Sequence, residues 1–314
     1  MANSIAALRV LEKEGGIALA EKCDFVAGHS LGEYTALCAV GSFSLADTAR
    51  LLKQRGQAMQ SAVPLGEGAM AALLGADIEK AQALADAAAE GEVCTVANDN
   101  DSSQVVISGH IGAIERAIAM VKDFGIKRGV SLPVSAPFHC PLMQPAADAM
   151  AEALEAIPPG ALRVPLFANV TAAIVTDPAQ VRSLLVDQVT GRVRWRESAI
   201  AMADAGVERF VEFGGKVVGP MIKRSAGEVE TASVIGMDDI EALVPDLRAA
   251  GTRGSRGYTV EAAVPFATLS DLMGRATGPG ATLRIGLFRA EFRPGALVDA
   301  PDNWISWVRP ATTE

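Results

Sequence analysis

The chain has 314 residues, 50% hydrophobic and 21% charged, enough to bury a sizeable core in one large domain or two ordinary ones. Its net charge of −9 excludes the general basic footprint of a nucleic-acid-binding protein. No apolar run reaches the length of a membrane span, and the first residues lack the charged-then-apolar order of a signal peptide. We therefore expect no nucleic-acid partner and no membrane segment.

Four cysteines stand in apolar surroundings without CxxC spacing, which favours buried thiols over a zinc site or a disulfide framework. A reducing, cytoplasmic location is the expectation that follows. These cysteines are Cys23, Cys38, Cys94 and Cys140.

Hydrophobic spacing divides the first 244 residues into two parts. Residues 1–67 and 135–244 alternate helices with short apolar strands, including a strand over 24–28 and a helix over 31–40. Residues 68–134 follow the order β-α-β-β-α-β, the ferredoxin-like arrangement. We therefore predict an α/β fold, with a hydrolase-like parallel-sheet body and an inserted ferredoxin-like subdomain.

The last seventy residues differ in style from the rest. Residues 245–257 place three glycines among arginines and predict a linker. Residues 258–314 contain alternating strand-like segments and two tryptophans, which predict a small β tail.

One pentapeptide, Gly28-His29-Ser30-Leu31-Gly32, has the pattern G-x-S-x-G between a predicted strand and a predicted helix. This is the setting of a nucleophile elbow, in which a sharp turn holds the serine hydroxyl out of the sheet. The following amide, on Leu31, lies at a helix N-terminus and can donate to a developing oxyanion. An ordinary glycine-rich turn is the alternative interpretation.

A nucleophilic serine needs a general base, and the chain offers three histidines. His29 lies inside the elbow and is expected to serve packing or positioning. His110 ends a subdomain strand and is expected at the surface or as a helix cap. His139, in a short turn after a strand, is the best candidate.

These motifs together resemble the malonyl-CoA:acyl carrier protein transacylases. The resemblance covers residues 1–243 and includes the inserted subdomain. It rests on four stretches in the same order as in the family: Gly28 to Tyr34 (GHSLGEY), Gln54 to Gly56, Gln104 to Gly109, and Ala136 to His139.

The resemblance implies a site and an activity. Ser30 would be the acylated nucleophile, and His139 the base and acid of a Ser–His dyad. Arg55 would bind the malonyl carboxylate through its guanidinium fork. Gln188 would orient His139 through its backbone carbonyl, and Phe138 and Asn98 would line the substrate site.

The implied reaction is a ping-pong transfer in fatty acid biosynthesis, with malonyl-CoA and acyl carrier protein as partners. We expect a monomer and no cofactor. Four arginines, Arg128, Arg192, Arg194 and Arg196, are candidates for contact with an acidic carrier protein, although a solvated charged face is the alternative.

Two departures from the family pattern qualify the prediction. The family's early loop GQGSQ, whose glutamine amide is the second oxyanion donor, occurs nowhere in this sequence. We therefore expect a truncated start, an open edge in the sheet, and a loss of roughly 3 kcal/mol of transition-state stabilisation. The late family loop EVGPGKVL reads Glu212 to Val218 (EFGGKVV) here.

The tail resembles the end of a family 9-type carbohydrate-binding module, on the segments VEAAVPF and LRIGLFRA and a closing tryptophan stretch. Its tryptophans would either stack on sugars or belong to the core of half a sandwich. An acyltransferase joined to part of such a module suggests a chimera that arose by gene fusion or by sequence assembly.

Two alternatives to an active transferase remain open. One is a catalytically impaired remnant. The other is an α/β-hydrolase-type esterase or thioesterase, which expects an acidic residue between the serine and the histidine in chain order and no inserted subdomain.

Overall fold

The computed structural model describes residues 1–13 and 15–243. The linker predicted over 245–257 and the β tail predicted over 258–314 lie outside these residues. The boundaries drawn for them stay predictions.

The first part of the body contains four helices before the inserted sheet. The Ser44 hydroxyl caps the fourth by accepting a hydrogen bond from the Asp47 backbone amide at 3.0 Å. The helices are α1 (Ala2–Lys13), α2 (Leu19–Lys22), α3 (Leu31–Ala39) and α4 (Leu45–Ser61).

The strand predicted over 24–28 is shorter than expected. It pairs in parallel at Val26 alone, whose amide donates to Pro165 O and whose carbonyl accepts from the Phe167 amide, both at 2.9 Å. The chain turns at Gly28 directly afterwards, so only a short extended run precedes the elbow.

The inserted subdomain has the predicted element order. Its four strands form an antiparallel sheet in the order β2-β3-β1-β4, as in a ferredoxin-like arrangement. The elements are β1 (Gly68–Leu74), α5 (Ile78–Ala89), β2 (Cys94–Asp101), β3 (Gln104–His110), α6 (Ile111–Met120) and β4 (Arg128–Ser131).

The two faces of this sheet bury different sets of side chains, because successive residues of a strand point to opposite faces. Ala71 and Leu73 of β1 pack with α5 and α6 in one core. Met70 and Ala72 pack on the other face, where they contact Phe138. The second face therefore supports the loop that carries His139.

The body resumes after the insert with alternating helices and strands. A short 3-10 turn (Pro141–Met143) precedes the elements α7 (Gln144–Ala156), β5 (Leu166–Ala168), β6 (Ala173–Val175), α8 (Pro178–Thr190), α9 (Trp195–Asp204), β7 (Arg209–Phe213), α10 (Val218–Ala226), β8 (Glu230–Val234) and α11 (Met237–Leu243). Strands β5 and β6 are antiparallel, whereas β7 and β8 are parallel. Hydrophobic spacing in the sequence does not predict β6, β8 or α11.

The main body core joins α3, α4, α7 and α8 around β5, with Tyr34, Leu37, Leu51 and Leu154 fully buried. This packing aligns the start of α3, the inner face of α4 and the last turn of α8. Residues far apart in the chain therefore meet beside Ser30.

Two ion pairs with buried carboxylates connect β2 to the helices of the body. Arg196 of α9 donates to Asp99 from Nε at 3.0 Å and from Nη2 at 2.8 Å. Arg224 of α10 donates to Asp101 from Nε at 2.9 Å and from Nη2 at 2.8 Å. Both carboxylates are almost completely buried, whereas the arginines retain partial exposure.

Within the residues that the structure describes, no helix combines the length and apolar character needed to cross a membrane.

Candidate active site

Ser30 occupies a strained turn at the N-terminus of α3. Its φ of 51° and ψ of −109° lie in a region that residues other than glycine rarely adopt. Gly28 makes the turn possible, since a Cβ there would lie 2.0 Å from the backbone of Gly32. The pentapeptide therefore forms a sharp elbow rather than a loose glycine-rich turn.

His139 lies against the serine hydroxyl, with Nε2 at 2.7 Å from Ser30 Oγ. Its Nδ1 lies 2.8 Å from the backbone carbonyl oxygen of Gln188. Because a carbonyl only accepts, Nδ1 carries the proton and Nε2 is free to accept from Ser30. The arrangement is a Ser–His pair whose third member is a carbonyl rather than a carboxylate.

Arg55, from α4, reaches the same hydroxyl. Its Nη2 donates to Ser30 Oγ at 3.1 Å and to Gln188 Oε1 at 3.0 Å. The side chain is only 6% exposed, and its Nε has no hydrogen-bond partner among the described residues. A buried guanidinium with unused donors is suited to bind a carboxylate in a fork geometry.

The Leu31 amide has an open environment at the start of α3. The neighbouring amides are occupied: Ser30 donates to Asn169 Oδ1 at 2.7 Å, Gly32 to His29 O at 2.8 Å and Glu33 to Ser30 O at 3.0 Å. No partner of the Leu31 amide is found among the described residues. This amide is therefore positioned to donate to an oxyanion next to Ser30.

Comparison with known proteins shows the family to which this chain belongs. The family model described as "Acyl transferase domain" matches residues 2–237. This chain belongs to the acyl transferase family.

The curated relatives of this acyl transferase include two enzymes named malonyl CoA-acyl carrier protein transacylase. The one from Bacillus subtilis (strain 168) is 40% identical over 250 residues, which cover 79% of this chain and 77% of the relative. The one from Escherichia coli (strain K12) is 43% identical over 245 residues, which cover 78% of this chain and 77% of the relative.

Solved structures give the same result. An acyl-carrier-protein-S-malonyltransferase from Bartonella henselae is 49% identical, with a TM-score of 0.75 over 78% of each chain. A malonyl-transacylase in complex with its type II polyketide synthase acyl-carrier protein is 37% identical, with a TM-score of 0.74 over 78% of each chain. These likenesses confirm the predicted α/β fold class.

The other two residues predicted for the substrate site lie near the acyl transferase site in different ways. Phe138 directly precedes His139 and is partly buried between the body core and the second face of the inserted sheet. Asn98 is buried in β2, beside Val193. It is not among the residues hydrogen-bonded to Ser30, Arg55 or His139, and its role stays a prediction.

Two residues that hold the elbow were not predicted from the sequence. Asn169 accepts from the Ser30 amide and donates from Nδ2 to Gly28 O at 2.8 Å, so it fixes both ends of the turn. Glu33 is 1% exposed and contacts Gln188. An asparagine directly after an apolar strand and a glutamate inside the serine motif were the available signals.

The other two histidines are hydrogen-bonded to residues other than the Ser30 hydroxyl, as expected for residues that do not act as its general base. His29 Nε2 lies 2.8 Å from Asn100 Oδ1, and its ring packs against Trp195 at 5.6 Å between centroids. His110 stands at the N-cap of α6 and accepts from the Val93 amide at 2.9 Å.

The arginines proposed for partner contact are mostly engaged within the protein. Arg196 pairs with the buried Asp99, whereas Arg192 and Arg194 both pair with Glu197. Only Arg128 of this set is exposed on a strand without such a pair among the described residues. Three of the four candidate arginines are therefore engaged in ion pairs within the protein, which leaves less unpaired positive charge for contact with an acidic carrier protein.

The cysteine prediction needs one correction. Cys38, Cys94 and Cys140 are buried free thiols, but Cys23 is only partly buried because it follows the short helix α2 near the surface. No cluster of metal-ligating side chains occurs within residues 1–13 and 15–243.

Burial, together with the positive charge of Arg55, lowers the pKa of His139 to about 3. A lowered pKa means that the neutral imidazole persists to a lower pH than the ordinary 6.5. We expect ¹⁵N NMR of imidazole-labelled protein to show His139 in its neutral Nδ1–H form throughout pH 5 to 8. A His139→Gln variant assigns the signal, and a titration midpoint near 6.5 would contradict the expectation.

Proposed function

We propose that this chain transfers a malonyl group from malonyl-CoA to the phosphopantetheine thiol of acyl carrier protein, in fatty acid biosynthesis. The observation that carries the proposal is the buried Arg55 guanidinium, 3.1 Å from the hydroxyl of a Ser–His pair. That position suits an acyl group with a free carboxylate at its far end. The names of the relatives support the same substrates.

The first half of the reaction forms an ester on Ser30. Its Oγ attacks the thioester carbonyl carbon while His139 Nε2 accepts the hydroxyl proton. The Leu31 amide donates to the oxyanion, at the positive end of α3. The carbon–sulfur bond then breaks, and the coenzyme A sulfur leaves with the proton from His139.

The second half reverses these steps with a different thiol. The phosphopantetheine sulfur attacks the Ser30 ester and gives its proton to His139. The tetrahedral intermediate collapses, and His139 returns the proton to Ser30 Oγ. The products are malonyl-acyl carrier protein and free enzyme, so the kinetics are ping-pong.

Arg55 provides selectivity for malonyl over uncharged acyl groups. Its guanidinium is buried and its Nε has no hydrogen-bond partner among the described residues. A substrate carboxylate would therefore supply the ion pair and the hydrogen bond that this donor lacks in the free enzyme. Acetyl-CoA offers no such charge. The pair also holds the malonyl chain in one orientation while Ser30 attacks.

Three further features belong to the proposal. Phe138 lines the acyl pocket beside His139 and favours the unbranched malonyl group. The protein acts as a monomer in the cytoplasm. The domain boundaries of the catalytic unit are 1–67 with 135–244 for the body and 68–134 for the subdomain.

Intact-mass measurement tests the activity in two steps. After incubation with malonyl-CoA, the full chain should gain the mass of one malonyl group. Added holo acyl carrier protein should then remove this adduct and gain it in turn. Loss of the adduct as free malonate at the same rate without carrier protein would indicate a thioesterase, and no adduct in a folded sample would contradict the proposal.

A further inference from the structure

The first turn of α3 contains a buried carboxylate, that of Glu33, which the chemistry described above does not use. Its Oε2 accepts a hydrogen bond from Gln188 Nε2, and its Oε1 accepts from the Asn169 amide at 3.3 Å. The side chain is 1% exposed. A donor on each oxygen matches the acceptor-only character of an ionised carboxylate.

Glu33 does not have the local role that its spacing predicts. Ser30-Leu31-Gly32-Glu33 has the sequence of a capping box, in which the serine and glutamate side chains bond the first amides of the helix. Here the Ser30 hydroxyl is directed to His139, and the Ser30 amide donates to Asn169 instead of Glu33. The carboxylate is thus available for another partner.

That partner, Gln188, connects every element of the site. Its Nε2 also donates to the Ser30 carbonyl at 3.1 Å, and its Oε1 accepts from Arg55 at 3.0 Å. Its backbone carbonyl accepts from His139 Nδ1. While Glu33 is ionised it can only accept, so it obliges the Gln188 amide to present its NH₂ to Glu33 and its oxygen to Arg55.

The charges agree with this arrangement. Burial raises the pKa of Glu33 to about 7, while the Gln188 hydrogen bond, the Asn169 amide and the charge of Arg55 act to lower it. Burial also disfavours the charged form of Arg55, so it lowers the pKa of that guanidinium, and the negative charge of Glu33 opposes the change. Each group therefore favours the charged form of the other within one buried cluster.

We propose that Glu33 is a positioning residue that orients the Gln188 amide, and through it fixes Arg55 for the acyl carboxylate and the carbonyl that holds His139. The inference rests on the proposed malonyl transfer. It adds that selectivity for the carboxylate depends on a side chain that does not contact the substrate.

The decisive variant is Glu33→Gln, which keeps the shape but introduces an NH₂ donor. That donor must face the Asn169 amide, or Gln188 must turn and present its own NH₂ to Arg55. Either outcome disturbs the cluster. We expect kcat/KM for malonyl-CoA to fall about tenfold or more relative to kcat/KM for acetyl-CoA. Glu33→Asp, which keeps the charge, should recover part of this ratio.

Two controls separate positioning from general damage. Asp99→Asn removes a buried carboxylate whose side-chain partner is Arg196 and which is not hydrogen-bonded to Ser30, Arg55, His139 or Gln188, so it should lower stability and leave the malonyl-to-acetyl ratio unchanged. In an Arg55→Ala background, Glu33→Gln should change the ratio little, because the group it positions is gone. An unchanged ratio in folded Glu33→Gln, or an equal effect in both backgrounds, would overturn the inference.

A spectroscopic measurement keeps this inference distinct from the proposed function. The His139 Nδ1 proton, hydrogen-bonded to Gln188, should give a downfield ¹H resonance that shifts in Glu33→Gln, or in Glu33→Asp if the glutamine variant does not fold. Wild-type protein that loads no malonyl group would refute the proposed function alone. A His139 resonance that stays in place in the folded variant would refute the positioning role.

Discussion

Ser30→Ala should abolish the malonyl adduct. Ser30 provides the oxygen that bonds to the acyl carbon, and His139 would then have no proton to accept from the protein. We expect the rate of coenzyme A release from malonyl-CoA to fall by roughly a thousandfold or more, with only the residual effect of binding left. Intact mass and a thiol-release assay measure both outcomes.

The control for this change is Ser183→Ala. Ser183 lies on α8, and its exposed hydroxyl bonds only its own helix, to Gln180 O at 2.9 Å. It should load malonyl at the wild-type rate. If Ser30→Ala still acquires the adduct while its circular dichroism matches wild type, the nucleophile is a different residue.

Arg55→Ala should reduce malonyl loading much more than acetyl loading. The buried guanidinium lies beside Ser30 and would pair with the malonyl carboxylate, an interaction that acetyl-CoA cannot make. Charge-assisted pairs in a dry site are strong, so we expect kcat/KM for malonyl-CoA to fall about a hundredfold, and the value for acetyl-CoA to fall far less. Steady-state rates with both substrates measure the difference.

Arg50→Ala is the matched control, because Arg50 lies on the same helix and pairs with Asp47 at the surface. Its selectivity should equal that of wild type. Arg55→Lys should recover little, since an ammonium cannot reproduce the fork geometry. Equal losses for malonyl-CoA and acetyl-CoA in Arg55→Ala would remove the basis for the assigned role.

Local signals in the sequence predicted much of the fold. Ser44 and Asp77 are of the residue types that favour N-caps, and both cap their helices, Asp77 by accepting from the Lys80 backbone amide at 2.8 Å. The order of the inserted subdomain follows from period-2 and period-3.6 patterns that local residues determine. By contrast, β8 was missed because its residues, Glu230–Val234, lack a continuous apolar run and depend on pairing with β7.

The site was predictable where a motif specified the chemistry, and less so where only tertiary contacts do. Ser30 and His139 are paired as the resemblance implied, and the Gln188 carbonyl meets the imidazole. Asn169 and Glu33 were not predicted, because their partners lie more than 130 residues away along the chain. A glutamate three residues after a serine has the pattern of a helix cap until its distant partner is known.

The two ion pairs between β2 and the helices α9 and α10 bear on how the protein unfolds. Separating the subdomain from these helices would take Arg196 from Asp99 and Arg224 from Asp101, whose carboxylates are almost completely buried in the folded protein. Loss of one partner from a fully buried pair typically costs about 3–5 kcal/mol, and the cost is lower here because both arginines are partly in water and the separated carboxylates would regain water. The subdomain and the helical layer should therefore melt in a single cooperative transition, and slow amide exchange should extend without interruption from β2 into α9.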